Sequence, residues 1–472
     1  MADNSVAGLK ARYGERWRWL VVFTVVIGTM AMVLSATVVN VALHDIMLEF
    51  GLSQGQVHWA ATGFIAAMTT TMLASSWVVD RVGVRVGLGF AMAAFTLISV
   101  AGGFADTAGQ LIAARIGQGA VAGLIQPMGM FLIFRIFPTE QRGQAMGIYG
   151  MGVILAPALG PVLGGFLVDQ FNWRYVMYAP APVTLLGVWM AWRFLPRPSV
   201  RTSPYPFDFA GLALLGGSIA LTLDTLTRLQ ALDGQEARIL LQAALLPGLL
   251  AAFLYRERTA RYPLVKLELL RRPVFVYACL GSMAMGLALF GSTYLIPLFV
   301  QTTLGFSATE AGLLMLPAGV VLGVTFPLAG RLADRQSPRG LILFGLGVFA
   351  FSAVLFATTG HFGSFAMLAV WAVLGRIGIG FMLPAVSTGA LNPLPPELMG
   401  AGSGTVNFAR QLGGALGINV VALTIEFGEH QAGVATFAAF QWAWWLVAVF
   451  VALAAVPVWK MRDRSRCHPQ AD

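Results

Sequence analysis

Apolar residues along this chain fall into long runs punctuated by short stretches of charge, proline and glycine. A helix that crosses a bilayer needs about 20 predominantly apolar residues. Fourteen runs qualify. The first seven lie near residues 19–43, 58–79, 87–104, 109–133, 144–168, 176–195 and 209–229. The second seven lie near 238–255, 273–301, 309–330, 339–359, 364–391, 401–425 and 436–459. The pattern predicts an all-α polytopic membrane protein with 14 transmembrane helices. The run from Trp19 to Leu43 is too long for a signal-peptide core and is expected to remain as the first span.

Basic residues test this count, because cytoplasmic loops of membrane proteins carry the excess of Lys and Arg. With the N-terminus inside, 24 of the 30 Lys and Arg fall in cytoplasmic segments. Three, Arg174, Arg228 and Arg238, fall outside, and Arg115, Arg376 and Arg410 fall within spans. The alternation predicts that both termini are cytoplasmic.

Composition narrows the class further. Of 472 residues, 57% are hydrophobic and 11% charged, against roughly 25% charged in soluble domains, which excludes a large soluble protein. The 54 glycines and 23 prolines are scattered among apolar runs, as membrane helices tolerate. A net charge of +9 could advertise a nucleic-acid partner, but resolved by side it is +13 inside, −7 outside and +3 in the spans. The excess is an orientation signal, and no nucleic-acid partner is expected. Cys279 and Cys467 are too few for a disulfide framework.

An internal repeat appears in two places. The loop after the second run reads S-W-V-V-D-R-V-G-V-R from Ser76, and the loop after the tenth reads G-R-L-A-D-R-Q-S-P-R from Gly330. Likewise A-R-I-G-Q-G from Ala114 matches G-R-I-G-I-G from Gly375, with Arg115 and Arg376 separated by 261 residues. Two six-helix halves with two inserted helices explain both offsets. The expected organisation is a cytoplasmic segment over 1–18, an N-terminal six-helix bundle over 19–200 and two inserted helices over 201–258. A C-terminal six-helix bundle over 259–460 and a cytoplasmic tail over 461–472 complete it. Repeats of this kind point to a transporter with its site near the bilayer midplane.

Four motifs carry more specific information: the loop D-R-x-G-x-R at Asp80, Arg81, Gly83 and Arg85; Leu111-x-x-x-Arg115-x-x-Gln118-Gly119; G-x-x-x-A-P-x-L-G-P-V-L-G-G from Gly152 to Gly165; and L-S-A-T-V-V-N-V-A-L-H from Leu34. Together they resemble the major facilitator superfamily, and within it the fourteen-helix drug:proton antiporters of the EmrB/QacA type, over essentially the whole chain. The resemblance implies a major facilitator fold. It also implies a gating role for the Asp80 loop and for its second copy at Gly330, Asp334 and Arg335. An acid facing arginines across a tight glycine turn can latch the halves and be broken on rocking.

Arg115 matches the family's intramembrane arginine, and an ionisable group at that depth is a functional hypothesis by default. Arg376 and Arg410 lie nearer predicted span ends and are expected to snorkel. The third motif resembles the antiporter signature. Gly152, Gly160, Gly164 and Gly165 allow close helix approach, while Pro157 and Pro161 bend the helix, implying a flexible, tightly packed interface between halves. In the first span, Thr37, Asn40, Val41 and Ala42 fit the family pattern, but Ser35 stands where the family has an acid, and His44 where it has proline. The resemblance implies that this acid assists proton coupling, so coupling here sits elsewhere or is absent.

Asp224, with Arg228 four residues on and able to pair with it on one helix face, reads first as a structural or interfacial acid and is also the best remaining proton candidate. His44 and His58 read as ordinary interfacial residues. Ser35, Asn40, Gln126, Tyr149, Asn407 and Gln411 are expected to line the substrate cavity, with Arg115, Asp224 and Arg410 forming the polar core. N-F-A-R-Q-L-G-G from Asn407 is again similar to the family's thirteenth span.

None of the three lysines, Lys10, Lys266 and Lys460, follows a glycine, which excludes a P-loop; neither H-E-x-x-H nor G-x-S-x-G occurs. No enzymatic activity, cofactor or metal is expected. An ion gradient is the remaining energy source, worth about 2.3 kcal/mol per charge per 100 mV. The leading expectation is export of lipophilic or amphipathic compounds in exchange for protons, by alternating access, in a bacterial inner membrane. Some relatives of this group work with a periplasmic adaptor and an outer-membrane channel. Alternatives are a metabolite uptake symporter of the same fold, or a membrane receptor or assembly subunit without transport.

Overall fold

The computed structural model describes residues 5–52, 54–57, 59–197, 205–230, 236–360, 363–433 and 435–461. His58, the expected boundary near residue 200 and the tail from 462 onward, including Cys467, lie outside the described residues. What is described is helix and connecting turn, without a strand.

A short helix α1 (Val6–Tyr13) precedes α2 (Arg16–Phe50), α3 (Trp59–Thr71), α4 (Ser75–Gly103), α5 (Ala108–Ile136) and α6 (Arg142–Gln170). Next come α7 (Trp173–Tyr178), α8 (Ala181–Phe194), α9 (Phe209–Arg228) and α10 (Glu236–Thr259). The remainder is α11 (Pro273–Leu304), α12 (Ala308–Arg335), α13 (Pro338–Ala357), α14 (Phe365–Leu391), α15 (Pro396–Glu426) and α16 (Thr436–Trp459). Among the described residues, 11 helical stretches are long and apolar enough to cross a membrane, Trp59–Gly103 counting as one.

Helix ends follow local chemistry. Thr107 caps α5 by accepting from Gln110 N, and Ser307 with Glu310 forms a reciprocal capping box on α12. Gly51 and Gly305 close α2 and α11 in the left-handed conformation. The expected loop between the second and third spans is a single non-helical residue, Gly83, at φ +77°. Only glycine adopts that conformation without a Cβ penalty, so helical hydrogen bonding resumes at once on either side.

The chain forms two compact units. The first comprises Met1–Phe137, Met151–Leu267 and Pro395–Phe408, and the second Pro138–Gly150, Glu268–Leu394 and Ala409–Asp472. The inserted pair α9 and α10 belongs with the first unit, where α9 packs on α3. Helices α6 and α15 each divide between units, at Gly150/Met151 and Phe408/Ala409.

Those two helices show the repeat again in their glycines. A Cβ on Gly147 would meet the Phe326 carbonyl oxygen of α12 at 2.3 Å, and one on Gly404 would meet that of Met72 at 2.9 Å. Further along, Gly152 abuts Val26 of α2, while Gly413 and Gly417 abut Met283 and Leu287 of α11. Small residues let helix backbones approach closely where lipid supplies no hydrophobic drive between helices.

Candidate functional site

Arg115 lies on α5, which packs on α3 through glycines. A Cβ on Gly119 or Gly123 would come within 2.2 Å of the Phe64 or Met68 carbonyl oxygen. That approach sets the Phe64 ring against the guanidinium, 4.3 Å from the Arg115 Cζ, a cation–π contact strengthened by burial. Arg115 is 0% exposed. Its Nε donates to the Ala60 carbonyl at 2.9 Å, and its Nη1 donates to Ser35 Oγ at 3.0 Å and to Gln118 Oε1 at 2.8 Å. Gln118 Nε2 donates to Ser99 Oγ at 2.8 Å, and Ser99 donates in turn to the Met177 carbonyl. The acceptors are all neutral, and Nη2 has no partner. Ser35, at the position where the family resemblance expects an acid, is thus in direct contact with Arg115.

The second copy of the motif is built differently. Arg376 Nη2 donates to Thr293 Oγ1 at 2.9 Å, and its Nη1 has no partner. Ile379 occupies the position that Gln118 holds in the first copy, so no side-chain acceptor lies one turn on. Snorkelling is not what the structure shows: Arg376 and Arg410 are only 4% and 6% exposed. Both sit well inside long helices, α14 and α15, where packing against α11 encloses them. Arg410 and Tyr149 are in electrostatic contact within the second unit.

The two acidic loops also differ. Asp80 accepts a hydrogen bond from the Tyr205 hydroxyl, and among the described residues no arginine pairs with it. Trp77 holds the same segment by donating to the Tyr205 carbonyl at 3.2 Å. Burial, then the hydrogen bond to Asp80, pushes the Tyr205 phenol well above its ordinary range. Arg85 donates to the Trp192 carbonyl, and Arg81 is exposed. Asp80 and Arg85 therefore go to separate partners.

Asp334, by contrast, accepts from the backbone N–H groups of Gly143 and Gln144, at 2.5 and 2.9 Å. These are free donors at the start of α6, where a helix favours negative charge. Gly143 and Gly330 make the approach possible, since a Cβ on either would lie 2.3 Å from the other's carbonyl oxygen. Arg335 is exposed.

Of the antiporter-motif glycines, Gly152, Gly160 and Gly164 face α2, meeting Val26, Thr37 and Val38. Gly165 meets nothing within 4 Å. The seam these residues make is inside the first unit, whereas the sequence expectation was an interface between halves. Pro157 and Pro161 fall outside the described side chains.

Gln126, Tyr149, Asn407 and Gln411 are buried and Asn40 is exposed. Asn407 Nδ2 donates to the Ser403 carbonyl at 2.8 Å and to Met130 Sδ at 3.1 Å. Asp224 pairs with Arg228 Nε at 2.7 Å, as its spacing predicts, and also accepts from Gln242 Nε2 of α10 at 2.7 Å. It lies in the inserted pair, apart from the Arg115 cluster.

Sequence reasoning missed several participants. Phe64, Ser99 and Thr293 carry no motif. Gly143 and Gly147 were readable as a small-x-x-x-small pair. Asp208 and Glu257 are buried at the base of the inserted helices: Asp208 caps α9 and pairs with Arg256, and Glu257 accepts from the Leu264 and Val265 amides.

The chain is similar to known proteins over most of its length. It is 31% identical over 409 residues to the multidrug export protein EmrB of Escherichia coli (strain K12), covering 85% of this chain and 79% of that one. It is 28% identical to the lincomycin resistance protein LmrB of Listeria innocua, covering 84% of each. Among solved structures, the proton:xylose symporter XylE matches with a TM-score of 0.68 at 15% identity, over 95% of this chain and 96% of that one. The human organic anion transporter MFSD10 matches at 0.66 and 16%, and both likenesses bear on the fold alone. The family model described as Major Facilitator Superfamily matches residues 25–418. With its all-helical fold, its repeated arginine and glycine seams and these relatives, the chain is a multi-pass membrane transporter that belongs to the major facilitator superfamily.

Proposed function

We propose that this transporter is a secondary active exporter of lipophilic or amphipathic compounds, driven by protons through alternating access. In this reading it has 14 spans, lies in a bacterial inner membrane and keeps both termini in the cytoplasm. The observation that carries the reading is the similarity to the EmrB export protein over 85% of this chain; the LmrB resistance protein supports it. The lack of a P-loop among the three lysines favours an ion gradient over ATP. A periplasmic adaptor and outer-membrane channel would carry the product onward where the host supplies them.

In this reading Arg115 and Arg410 organise the polar core, and Ser35, Asn40, Gln126, Tyr149, Asn407 and Gln411 contribute to substrate contact. The Asp80 and Asp334 loops gate the cytoplasmic side, and the Gly152 to Gly165 seam allows α6 to slide on α2. Asp224 is the proton carrier. A carboxylate paired with Arg228 takes up a proton when that pair opens, so proton movement and a shift of α9 against α10 would be one event.

Proton-driven transport in inverted membrane vesicles, tested on a panel of drugs and dyes, examines this directly. Wild type should accumulate several lipophilic compounds when the lumen is acidified, and Asp224→Asn should release fewer protons per substrate moved. Unchanged proton movement in Asp224→Asn would remove that residue from coupling, and no accumulation of any compound by wild type would contradict export.

A further inference from the structure

The second unit holds a small cavity, separate from the Arg115 cluster, whose wall includes Ser292, Phe349, Ser352, Phe356, Arg376 and Trp444. It is small, with room for a single compact guest. Two residues of this wall each carry a buried N–H donor with no hydrogen-bond partner among the described residues: Nη1 of Arg376, which is 4% exposed, and Nε1 of Trp444, which is 1% exposed. Stacking of the Trp444 ring on Phe356, at 4.4 Å and 10° between planes, fixes the direction of the indole N–H. The two serine hydroxyl protons on the wall are already committed, Ser292 donating to the Ala288 carbonyl at 2.6 Å and Ser352 to the Trp371 carbonyl at 2.7 Å.

A buried guanidinium is costly unless its charge is balanced and its donors are satisfied. Arg376 has one neutral acceptor, Thr293, and among the described residues no carboxylate forms an ion pair with it. A water molecule in the cavity would leave the charge unbalanced. A compact anion would balance it. We propose that this cavity binds a single halide-sized anion, chloride under ordinary conditions, as the counter-ion of Arg376, held by Arg376 Nη1–H and Trp444 Nε1–H.

The test uses the purified full-length protein. Crystals grown with bromide in place of chloride should show an anomalous peak between Arg376 and Trp444. In solution, chloride titrated against gluconate at constant ionic strength should raise the unfolding temperature saturably. Trp444→Phe keeps the ring stack and removes the N–H, and it should weaken chloride binding about tenfold, the loss of one hydrogen bond to a charged group. Arg376→Gln should abolish the chloride dependence; if that variant does not fold, Trp444→Phe carries the test. A bromide-free cavity holding water, an unfolding temperature indifferent to chloride, or a chloride response unchanged in Trp444→Phe would each overturn the proposal.

Discussion

Arg115 and Arg376 occupy matching places in two copies of one motif, yet the first is held by three hydrogen bonds and an aromatic face, and the second by one hydrogen bond. The difference traces to a few residues. Gln118 passes the network on to Ser99 in the first copy, whereas Ile379 ends it in the second. A repeated helix position thus supplies the burial, while its neighbours decide whether the charge becomes the hub of a side-chain network. The two acidic loops diverge in the opposite direction: Asp334 seats on a helix N-terminus, and Asp80 takes a tyrosine from the segment leading to the inserted helices.

Breaking this asymmetry should give graded effects. Arg115→Ala removes three hydrogen bonds to a buried charge, each worth about 1.5–3 kcal/mol. It should bring transport to the background of vesicles lacking the protein while the protein still reaches the membrane. Arg376→Gln loses one such bond, so transport should fall but stay measurable; a larger loss than in Arg115→Ala would reverse the ranking of the two copies.

Next in size is Gly143→Ala. The added methyl meets the Gly330 carbonyl and, being flanked by backbone, should cost about 1–3 kcal/mol of stability. Gly165→Ala, with open space around it, should stay within about 0.5 kcal/mol. Equal unfolding temperatures for these two variants would show that the α6 to α12 contact is not tight.

Asp334→Asn keeps its shape and loses the charge that favours the α6 N-terminus, a change of about 1 kcal/mol. It should lower the unfolding temperature more than Tyr205→Phe does. The smallest effect is a pH dependence of the Tyr205 contact. Its folded-state pKa is raised, chiefly by burial and then by Asp80, so the folded state holds this proton more tightly than the unfolded chain. The contact's contribution is therefore complete below the ordinary tyrosine value of about 10 and declines above it. Wild type should lose stability between about pH 10 and 11 more steeply than Tyr205→Phe; parallel curves would show that Asp80 is not held by this phenol.

Much of the fold was legible in the sequence because lipid imposes a one-dimensional rule: runs of sufficient length and hydropathy become helices, and an arginine among them stands out. Arg115 was legible for that reason, and so was the Asp224 to Arg228 pair, which lies on one helix. What surrounds Arg115 was not. Ser35, Phe64, Gln118 and Ser99 come from four helices, α2, α3, α5 and α4, and only packing decides that they converge. The depth of Arg376 and Arg410 was misjudged from apolar run ends, since α14 and α15 extend the helix on both sides of each residue. The Tyr205 contact with Asp80 joins residues 125 apart, with no motif to announce it. The direction of the glycines between Gly152 and Gly165 was equally unreadable, because a glycine pattern says that a backbone approaches closely and not which one.

The most direct test of a specialised first copy is substrate accumulation by acid-loaded inverted vesicles containing equal amounts of folded wild type, Arg115→Ala and Arg376→Gln. The account predicts robust accumulation in wild type, reduced but measurable accumulation in Arg376→Gln and none in Arg115→Ala. Wild-type accumulation in Arg115→Ala would contradict it.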